Sequence, residues 1–269
     1  VLTHRDVPVN EYGINEYDQP VLAADKVRWT GDRVAVVVAE TLAAAIEGRR
    51  RVKVAYEPLP VVTDPVAAMA AEAPLVHEDK GSNILRHIPV RKGDVRVGFA
   101  AADTIVEGTY RTPFQEHAYL QPEAALGYID GEGRVTLVCA SQWPHDDLRQ
   151  IAHALDLPEE HLREIVPAVG GAFGGREDVS LQILVCLATW RLQRPVKMVW
   201  TREESIRGHG KRHPFVMKHR WGATRDGKLT AVEIEAVLDA GAYASSSVPV
   251  LSNAVSFMAG PYSVPHVHI

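Results

Sequence analysis

A glycine-rich run from Val169 to Glu177 is the most unusual local feature of the sequence. Four of six consecutive positions are glycine, and the run lies between a predicted strand at 165–169 and a predicted helix at 179–192. Glycine lets a backbone approach a ligand closely, and a helix N-terminus offers free N–H groups and a positive dipole end to an anion. The run therefore indicates a ligand site. A tight turn that needs glycine only for positive φ is the alternative that the glycines alone leave open.

Two common phosphate-binding motifs are excluded by residue identity. A dinucleotide fingerprint needs glycine at its first, third and sixth positions. Counted from either of the first two glycines of the run, the third position is Ala172 or Phe173. A Walker loop needs lysine and then serine or threonine after its last glycine, but Arg176 and Glu177 stand there. The run is therefore neither a nicotinamide site nor an ATPase site.

The 12 histidines raise the question of a metal site, but their spacing supports it weakly. The zinc-protease pattern His-Glu-x-x-His does not occur. Neither the pair His209 and His213, which has glycines beside its first member, nor the pair His266 and His268 is predicted to bind a metal. His117 is better placed, although a hydrogen-bonded structural histidine is the interpretation that we favour. The sequence also lacks a Gly-x-Ser-x-Gly elbow, which argues against a hydrolase.

The composition is typical of a soluble globular protein of two domains. A net charge of −5 predicts no nucleic-acid partner. Cys139 and Cys186 each stand alone in an apolar stretch, so we expect buried thiols and a reducing cytoplasm. No apolar run reaches the roughly 18 residues of a membrane helix, so no membrane partner is expected.

Hydrophobic periodicity and turn residues predict an α+β fold. We predict a first domain at 1–70, a connector at 71–102 and a second domain at 103–269. In the first domain, Thr41 is the expected N-cap of a helix ending near Arg50, among strands at 27–29, 34–38 and 52–56. The second domain should contain strands at 104–110, 134–140 and 196–200, helices at 144–155 and 179–192, and a hairpin at Asp226-Gly227 between 218–223 and 229–239.

Nine short segments occur in an order that resembles the xanthine dehydrogenase and aldehyde oxidase family. Three are similar to its a/b hammerhead domain: Asp18–Ala23, Val27–Asp32 and Tyr56–Pro60. Six are similar to its first molybdopterin-binding domain: Gln115–Glu123, Ala140–Pro144, Gly170–Glu177, Arg194–Lys197, Arg202–Ser205 and Asp239–Tyr243. No single motif is decisive, but their order and spacing together are specific.

The resemblance implies an a/b hammerhead domain, truncated at its start, followed by part of a molybdopterin-binding α/β domain. It implies that the amide of Gln142 hydrogen-bonds an oxygen on molybdenum. It also implies that Phe173 and Gly174 pack under the metal with backbone N–H groups toward its oxo ligand, and that Gly171 and Ala172 belong to the same cofactor-binding run. We therefore expect Gln142 and the Phe173–Gly174 backbone to converge on one cleft.

Glu177 resembles the glutamate with which the xanthine-oxidising branch contacts purines. The resemblance thus implies a molybdenum hydroxylase that oxidises a purine-type heterocycle, such as xanthine or hypoxanthine, with oxygen from water. Ala172 stands where the family usually has glycine, and Arg176 where it has lysine. The family's purine-clamping arginine, its general-base glutamate and its second molybdopterin domain fall beyond Ile269, so we expect this chain alone to hold no molybdenum and to oxidise nothing.

The implied cofactor is molybdenum with molybdopterin, in its cytosine dinucleotide form. The resemblance also implies iron–sulfur clusters and FAD. Because no motif for either occurs in this sequence, we expect them on partner subunits or domains. Three alternatives stay open: an aldehyde-, nicotinate- or carbon monoxide-type enzyme of the same family, a non-catalytic assembly module, and an unrelated anion-binding protein that uses the glycine run.

Overall fold

A computed structural model describes all 269 residues, which divide into two compact units. The first unit comprises Val1–Pro58, Glu116–Lys211 and Ala242–Ser245. The second comprises Leu59–Gln115, Arg212–Gly241 and Ser246–Ile269. Each unit thus combines stretches that are far apart in the sequence, and the consecutive domain ranges 1–70, 71–102 and 103–269 stay a prediction.

The elements, numbered in chain order, mix helix and strand and confirm the α+β class. The helices are α1 (Leu42–Arg51), α2 (Val95–Ala100), α3 (Pro144–Leu155), α4 (Gln182–Leu192), α5 (Arg202–Gly208) and α6 (Ser247–Phe257). The strands are β1 (Arg91–Lys92), β2 (Thr104–Thr112), β3 (Ala124–Ile129), β4 (Val135–Cys139), β5 (Leu162–Ile165), β6 (Val196–Val199), β7 (Phe215–Ala223), β8 (Leu229–Leu238) and β9 (His266–His268). None of the helices combines the length and the apolar character that crossing a membrane requires.

Before residue 60 the sequence predicts the helix correctly and the strands wrongly. The hydroxyl of Thr41 accepts a hydrogen bond from the N–H of Ala44, which caps α1 as expected. The predicted strands at 27–29, 34–38 and 52–56 are irregular backbone, apart from one bridge between Leu2 and Val36. Their β-branched residues fit a pleated surface, but such residues form a strand only where a partner strand pairs with them.

The first unit is built on a four-stranded sheet in the order β5-β4-β3-β6. The β4–β5 pair is parallel and the other pairs are antiparallel. Helix α4 packs on β3 and β4, and every residue from Gln182 to Thr189 is buried. A Cβ at Gly127 on β3 would lie 2.3 Å from the hydroxyl of Thr189, so this close approach requires glycine.

Helix α3 packs against α4 and β5 in the same unit, and it covers the predicted residues. Pro144 occupies its first turn, and Asp156 ends it in the left-handed conformation with φ 52°. The buried stripe includes Ile151 and Leu155, both 0% exposed. The predicted strand at 196–200 is β6, and the one at 134–140 is β4.

The second unit contains a five-stranded sheet in the order β1-β9-β8-β7-β2. Strands β7 and β8 form the antiparallel hairpin predicted at Asp226-Gly227, where Gly227 has φ 86°. Strand β2 pairs with β7 over its whole length, from Thr104–Ala223 to Thr112–Phe215. Helix α2 packs on β8 and β9, and the apolar core of this unit centres on four valine and isoleucine side chains, Val232, Ile234, Val264 and Val267.

Candidate functional site

The glycine-rich run is irregular backbone between β5 and α4. Strand β5 ends at Ile165, rather than spanning 165–169, and α4 begins at Gln182 rather than at residue 179. Residues 176–181 therefore separate the last glycine from the helix, and the predicted helix start at residue 179 is three residues too early. Glu177 consequently lies outside the first turn of α4, so stabilisation of a helix dipole does not explain a carboxylate there.

The centre of the run adopts left-handed backbone at three positions. Gly171, Phe173 and Gly174 have φ values of 96°, 55° and 90°. Phe173 carries a Cβ, so this conformation costs it about 1–3 kcal/mol, which the surrounding contacts must offset. Its side chain is nevertheless 76% exposed. Ala172 is not among the residues with positive φ, so alanine in place of glycine introduces no backbone strain.

Gln142 lies in the turn between β4 and α3, and its side chain contacts the run directly. Its Oε1 accepts hydrogen bonds from the N–H groups of Gly174, at 3.1 Å, and Arg176, at 3.2 Å. Its own backbone N–H donates to the carbonyl of Arg176 at 3.0 Å. The structure thus brings Gln142 and the Phe173–Gly174 backbone together, as the sequence predicts, although 31 residues separate Gln142 from Phe173.

These bonds orient the amide of Gln142, and they change which backbone N–H groups of the run can face a ligand. Because Oε1 accepts from the run, the NH₂ group of this exposed side chain points away and has no partner within the protein. The N–H of Gly174 is already used by Gln142, so it does not face a ligand as we expected. The N–H of Phe173 has no partner within the protein. The amide of Gln142 and the backbone N–H of Phe173 are therefore among the donors left without a protein partner at this place.

Arg176 fastens the run to the segment that follows residue 118. Its side chain is buried, its Nε donates to the carbonyl of Gly171 at 3.0 Å, and a terminal nitrogen donates to the carbonyl of Gln121. The guanidinium lies over the ring of Tyr119, 4.2 Å from its centre. The N–H of Gly170 also donates to Oε1 of Gln121 at 2.9 Å. The positive charge of Arg176 is thus committed to holding the loop.

Glu177 lies beside Gly174 without a hydrogen-bond partner in the protein. A Cβ on Gly174 would lie 3.9 Å from Oε1 of Glu177 and 3.8 Å from Nε2 of His117, so both groups flank this glycine. Burial, together with the charge of Asp178, raises the pKa of Glu177. Asp178 itself accepts a hydrogen bond from the hydroxyl of Ser245. Of the two neighbouring carboxyl groups, Glu177 is the one left for a ligand.

A cluster of Glu116, His117 and His209 lies next to the run and was not predicted. One ligating atom of each residue lies within 4.8 Å of those of the others. His213, which sequence spacing pairs with His209, instead contacts the hydroxyl of Ser247 at 2.8 Å. The sequence offered only a weak signal for the cluster, the Glu-His pair at 116 and 117, because His209 lies 92 residues further along the chain.

Comparison with known proteins shows which family models and relatives this chain matches. Residues 76–269 match the molybdopterin cofactor-binding domain, and residues 1–60 match the a/b hammerhead domain of aldehyde oxidase and xanthine dehydrogenase. The chain is 39% identical to a probable xanthine dehydrogenase subunit of Bacillus subtilis, across 99% of this chain and 36% of that protein. It is also 39% identical to the nicotinate dehydrogenase large molybdopterin subunit of Eubacterium barkeri, across 100% of this chain and 63% of that protein.

A solved structure shows the same fold. The aldehyde oxidoreductase from Desulfovibrio gigas superposes with a TM-score of 0.95 and 29% identity, across 99% of this chain and 30% of that one. The chain therefore spans about a third of the length of this enzyme and of the Bacillus relative, and 63% of the Eubacterium relative.

Proposed function

The chain belongs to the molybdopterin-binding subunits of the xanthine dehydrogenase and aldehyde oxidase family, and on that premise we propose that it forms one wall of the active site of a molybdenum hydroxylase. The observation that carries the proposal is the amide of Gln142. Two backbone N–H groups of the run hold its oxygen, so its NH₂ group is presented as a fixed donor. A neutral amide can bond an oxygen ligand of a metal without adding charge.

The residues present fit a molybdenum–molybdopterin cofactor. The N–H of Phe173 adds a second donor without a protein partner, and Gly171 and Gly174 add no side chain to the surface beside it. Gln142, Phe173 and Gly174 would therefore lie in the environment of the metal, and Gly171 and Ala172 would belong to the cofactor-binding run. When bound, the cofactor would supply the redox chemistry that hydroxylates carbon with oxygen from water.

The amide of Gln142 is tested in the loaded enzyme by Gln142→Ala. Removal of one preorganised donor should lower kcat by about 10²-fold or more. Molybdenum content, measured alongside, should stay close to that of the unaltered enzyme. Gln193→Ala is the matched control, because the side chain of Gln193 is exposed and bonds only the carbonyl of Trp190. Equal kcat values for both variants would refute the role of Gln142.

The substrate class rests on Glu177. A purine presents ring N–H groups and ring nitrogens, and a carboxyl can accept a hydrogen bond from a ring N–H or share a proton with the ring. Burial and the charge of Asp178 raise the pKa of Glu177. A purine such as xanthine or hypoxanthine is therefore the substrate that we propose. The named relatives are a xanthine dehydrogenase subunit and a nicotinate dehydrogenase subunit, so another nitrogen heterocycle is the second candidate.

Glu177→Val in the loaded enzyme separates a purine from an aldehyde substrate. Loss of a hydrogen bond to a charged group costs about 1.5–3 kcal/mol, which corresponds to a fall of roughly 10- to 150-fold in kcat/KM for xanthine. A simple aldehyde has no ring nitrogen, so its kcat/KM should change much less. Glu160→Val, at an exposed glutamate, is the control. An equal fall for both substrates would leave Glu177 without a role in substrate choice.

We also propose that the cofactor is in its cytosine dinucleotide form. Partner subunits or domains would carry iron–sulfur clusters and FAD, and the location would be cytoplasmic. Molybdenum hydroxylation removes electrons from the substrate, and the described residues offer no further redox group, since both cysteines are buried free thiols. Partner subunits or domains would therefore take the electrons. A non-catalytic assembly module, the alternative of a different class, would be recognised by the absence of molybdenum from the purified complex.

A further inference from the structure

Glu116, His117 and His209 bring two imidazoles and one carboxylate together in the first unit. Oε1 of Glu116 lies 3.3 Å from Nε2 of His209. His209 is 4% exposed, and neither its Nε2 nor Nδ1 of His117 has a hydrogen-bond partner, although both atoms are inaccessible to solvent. Buried ring nitrogens without partners are uncommon, because each forgoes the hydrogen bond that water would provide.

The tautomer of His209 leaves one of its ring nitrogens for a ligand. Its Nδ1 contacts the carbonyl oxygen of Ser205, which can only accept, so the ring proton lies on Nδ1. In this tautomer, Nε2 carries the lone pair and lies 3.3 Å from Oε1 of Glu116 without the alignment of a hydrogen bond. Two lone pairs repel each other at this distance, and a metal ion bound by both atoms would remove the repulsion.

We propose that Glu116, His117 and His209 form a binding site for a divalent transition-metal ion, with zinc as the best fit. Zinc–nitrogen and zinc–oxygen bonds of about 2.0–2.1 Å place tetrahedral ligand atoms roughly 3.3 Å apart. The separation of 3.3 Å between Glu116 and His209 already matches this geometry. Since the ligating atoms lie within 4.8 Å of one another, the third ligand, on His117, must move by at most about 1.5 Å.

The surroundings support a cation at this place. Nζ of Lys211 lies 3.0 Å from Oε2 of Glu116, which turns the other oxygen toward the imidazoles in the manner of an outer-shell partner. Oε1 of Glu123 lies 3.9 Å from Nδ1 of His209. Two carboxylates and one ammonium group thus lie around the two imidazoles. Nitrogen ligands favour zinc, iron, cobalt or nickel, whereas calcium needs six or more oxygen ligands.

A metal here would connect the end of α5 to the backbone that supports the glycine-rich run. His209 directly follows α5, which ends at Gly208. The ring of His117 touches the run, because a Cβ on Gly175 would lie 2.9 Å from its Cγ. Three protein ligands leave a fourth position open for water. We therefore expect the ion to stabilise this part of the first unit.

The test titrates the full chain, first treated with a chelator, with Co²⁺ alone, followed by displacement with Zn²⁺. One equivalent of Co²⁺ should bind, with the visible absorption bands of low coordination number, and one equivalent of Zn²⁺ should remove those bands. His209→Ala should weaken Co²⁺ binding by about 100-fold or more, since even outer-shell changes cost 10- to 100-fold. His213→Ala is the matched control, because this half-buried histidine contacts Ser247 outside the cluster.

Glu116→Gln keeps the shape of the side chain, so it tests the site even where His209→Ala fails to fold. Zn²⁺ should raise the midpoint of thermal unfolding of the unaltered chain and of His213→Ala, because a ligand that binds only the folded state stabilises it. The rise should disappear in Glu116→Gln. Absence of a stoichiometric Co²⁺ complex, or a complex that His209→Ala and Glu116→Gln leave unchanged, would overturn the proposal.

Discussion

The buried carboxyl groups of Asp147 and Glu164 should make the first unit less stable as the pH rises. Asp147, on α3, is 0% exposed, and one of its oxygens accepts from the amide of Gln182 at 3.1 Å. Both oxygens of Glu164, on β5, are inaccessible to solvent, and the carboxyl of Asp147 is their neighbour. Burial, followed by the charge of Asp147, raises the pKa of Glu164 to about 9. Burial raises the pKa of Asp147 to about 6.

The sign and size of the effect follow from proton counting. Between pH 6 and 9 both carboxyl groups are ionised in the unfolded chain, where the pKa values are near 4, whereas the folded pair keeps one proton. The folded state therefore binds about one more proton, and its stability falls by at most about 1.4 kcal/mol for each pH unit. The stabilisation by this proton is fully present below the unfolded pKa values and is lost as the pH rises through the folded pKa of Glu164.

Glu164→Gln removes the titrating group while keeping the shape of the side chain. The variant should be less sensitive to pH, so its free energy of unfolding, relative to that of the unaltered chain, should rise by up to about 4 kcal/mol between pH 6 and 9. Urea unfolding at half-unit pH intervals measures this difference. Glu160→Gln, at an exposed glutamate, is the control. Parallel pH profiles for Glu164→Gln and the unaltered chain would refute the reasoning.

Two further predictions concern packing and thiols in the first unit. Gly175→Ala should lower the free energy of unfolding, measured by urea titration, by about 1–3 kcal/mol, because its Cβ would lie 2.8 Å from the ring of Tyr119. Gly131→Ala is the control and should have little effect, because a Cβ there would have nothing within 4 Å. Cys139 and Cys186 are both buried, and burial raises the pKa of Cys139 to about 12. A thiol reagent should therefore label neither cysteine in the folded chain at pH 8 and both in denaturant; rapid labelling of the folded chain would contradict this burial.

The sequence by itself determined the features that depend on neighbouring residues. Thr41 caps α1, the apolar stripe and Pro144 define α3, and Asp226-Gly227 forms the hairpin between β7 and β8. Each of these signals operates within a few residues, where capping bonds, periodic burial and turn conformations act. The order and spacing of short motifs also identified the family, and the family models confirm it.

The tertiary structure decided everything that depends on which distant segments meet. The apolar stretches before residue 60 find almost no strand partner, so their β propensity does not produce strands. Arg176 and Gln142 bond to the glycine-rich run, and the bond from Gln142 occupies the N–H of Gly174. Helix α4 begins only at Gln182. His209 joins Glu116 and His117 from 92 residues away. Local sequence does not encode such long-range contacts, because they depend on how whole elements pack and on which backbone groups the contacts satisfy.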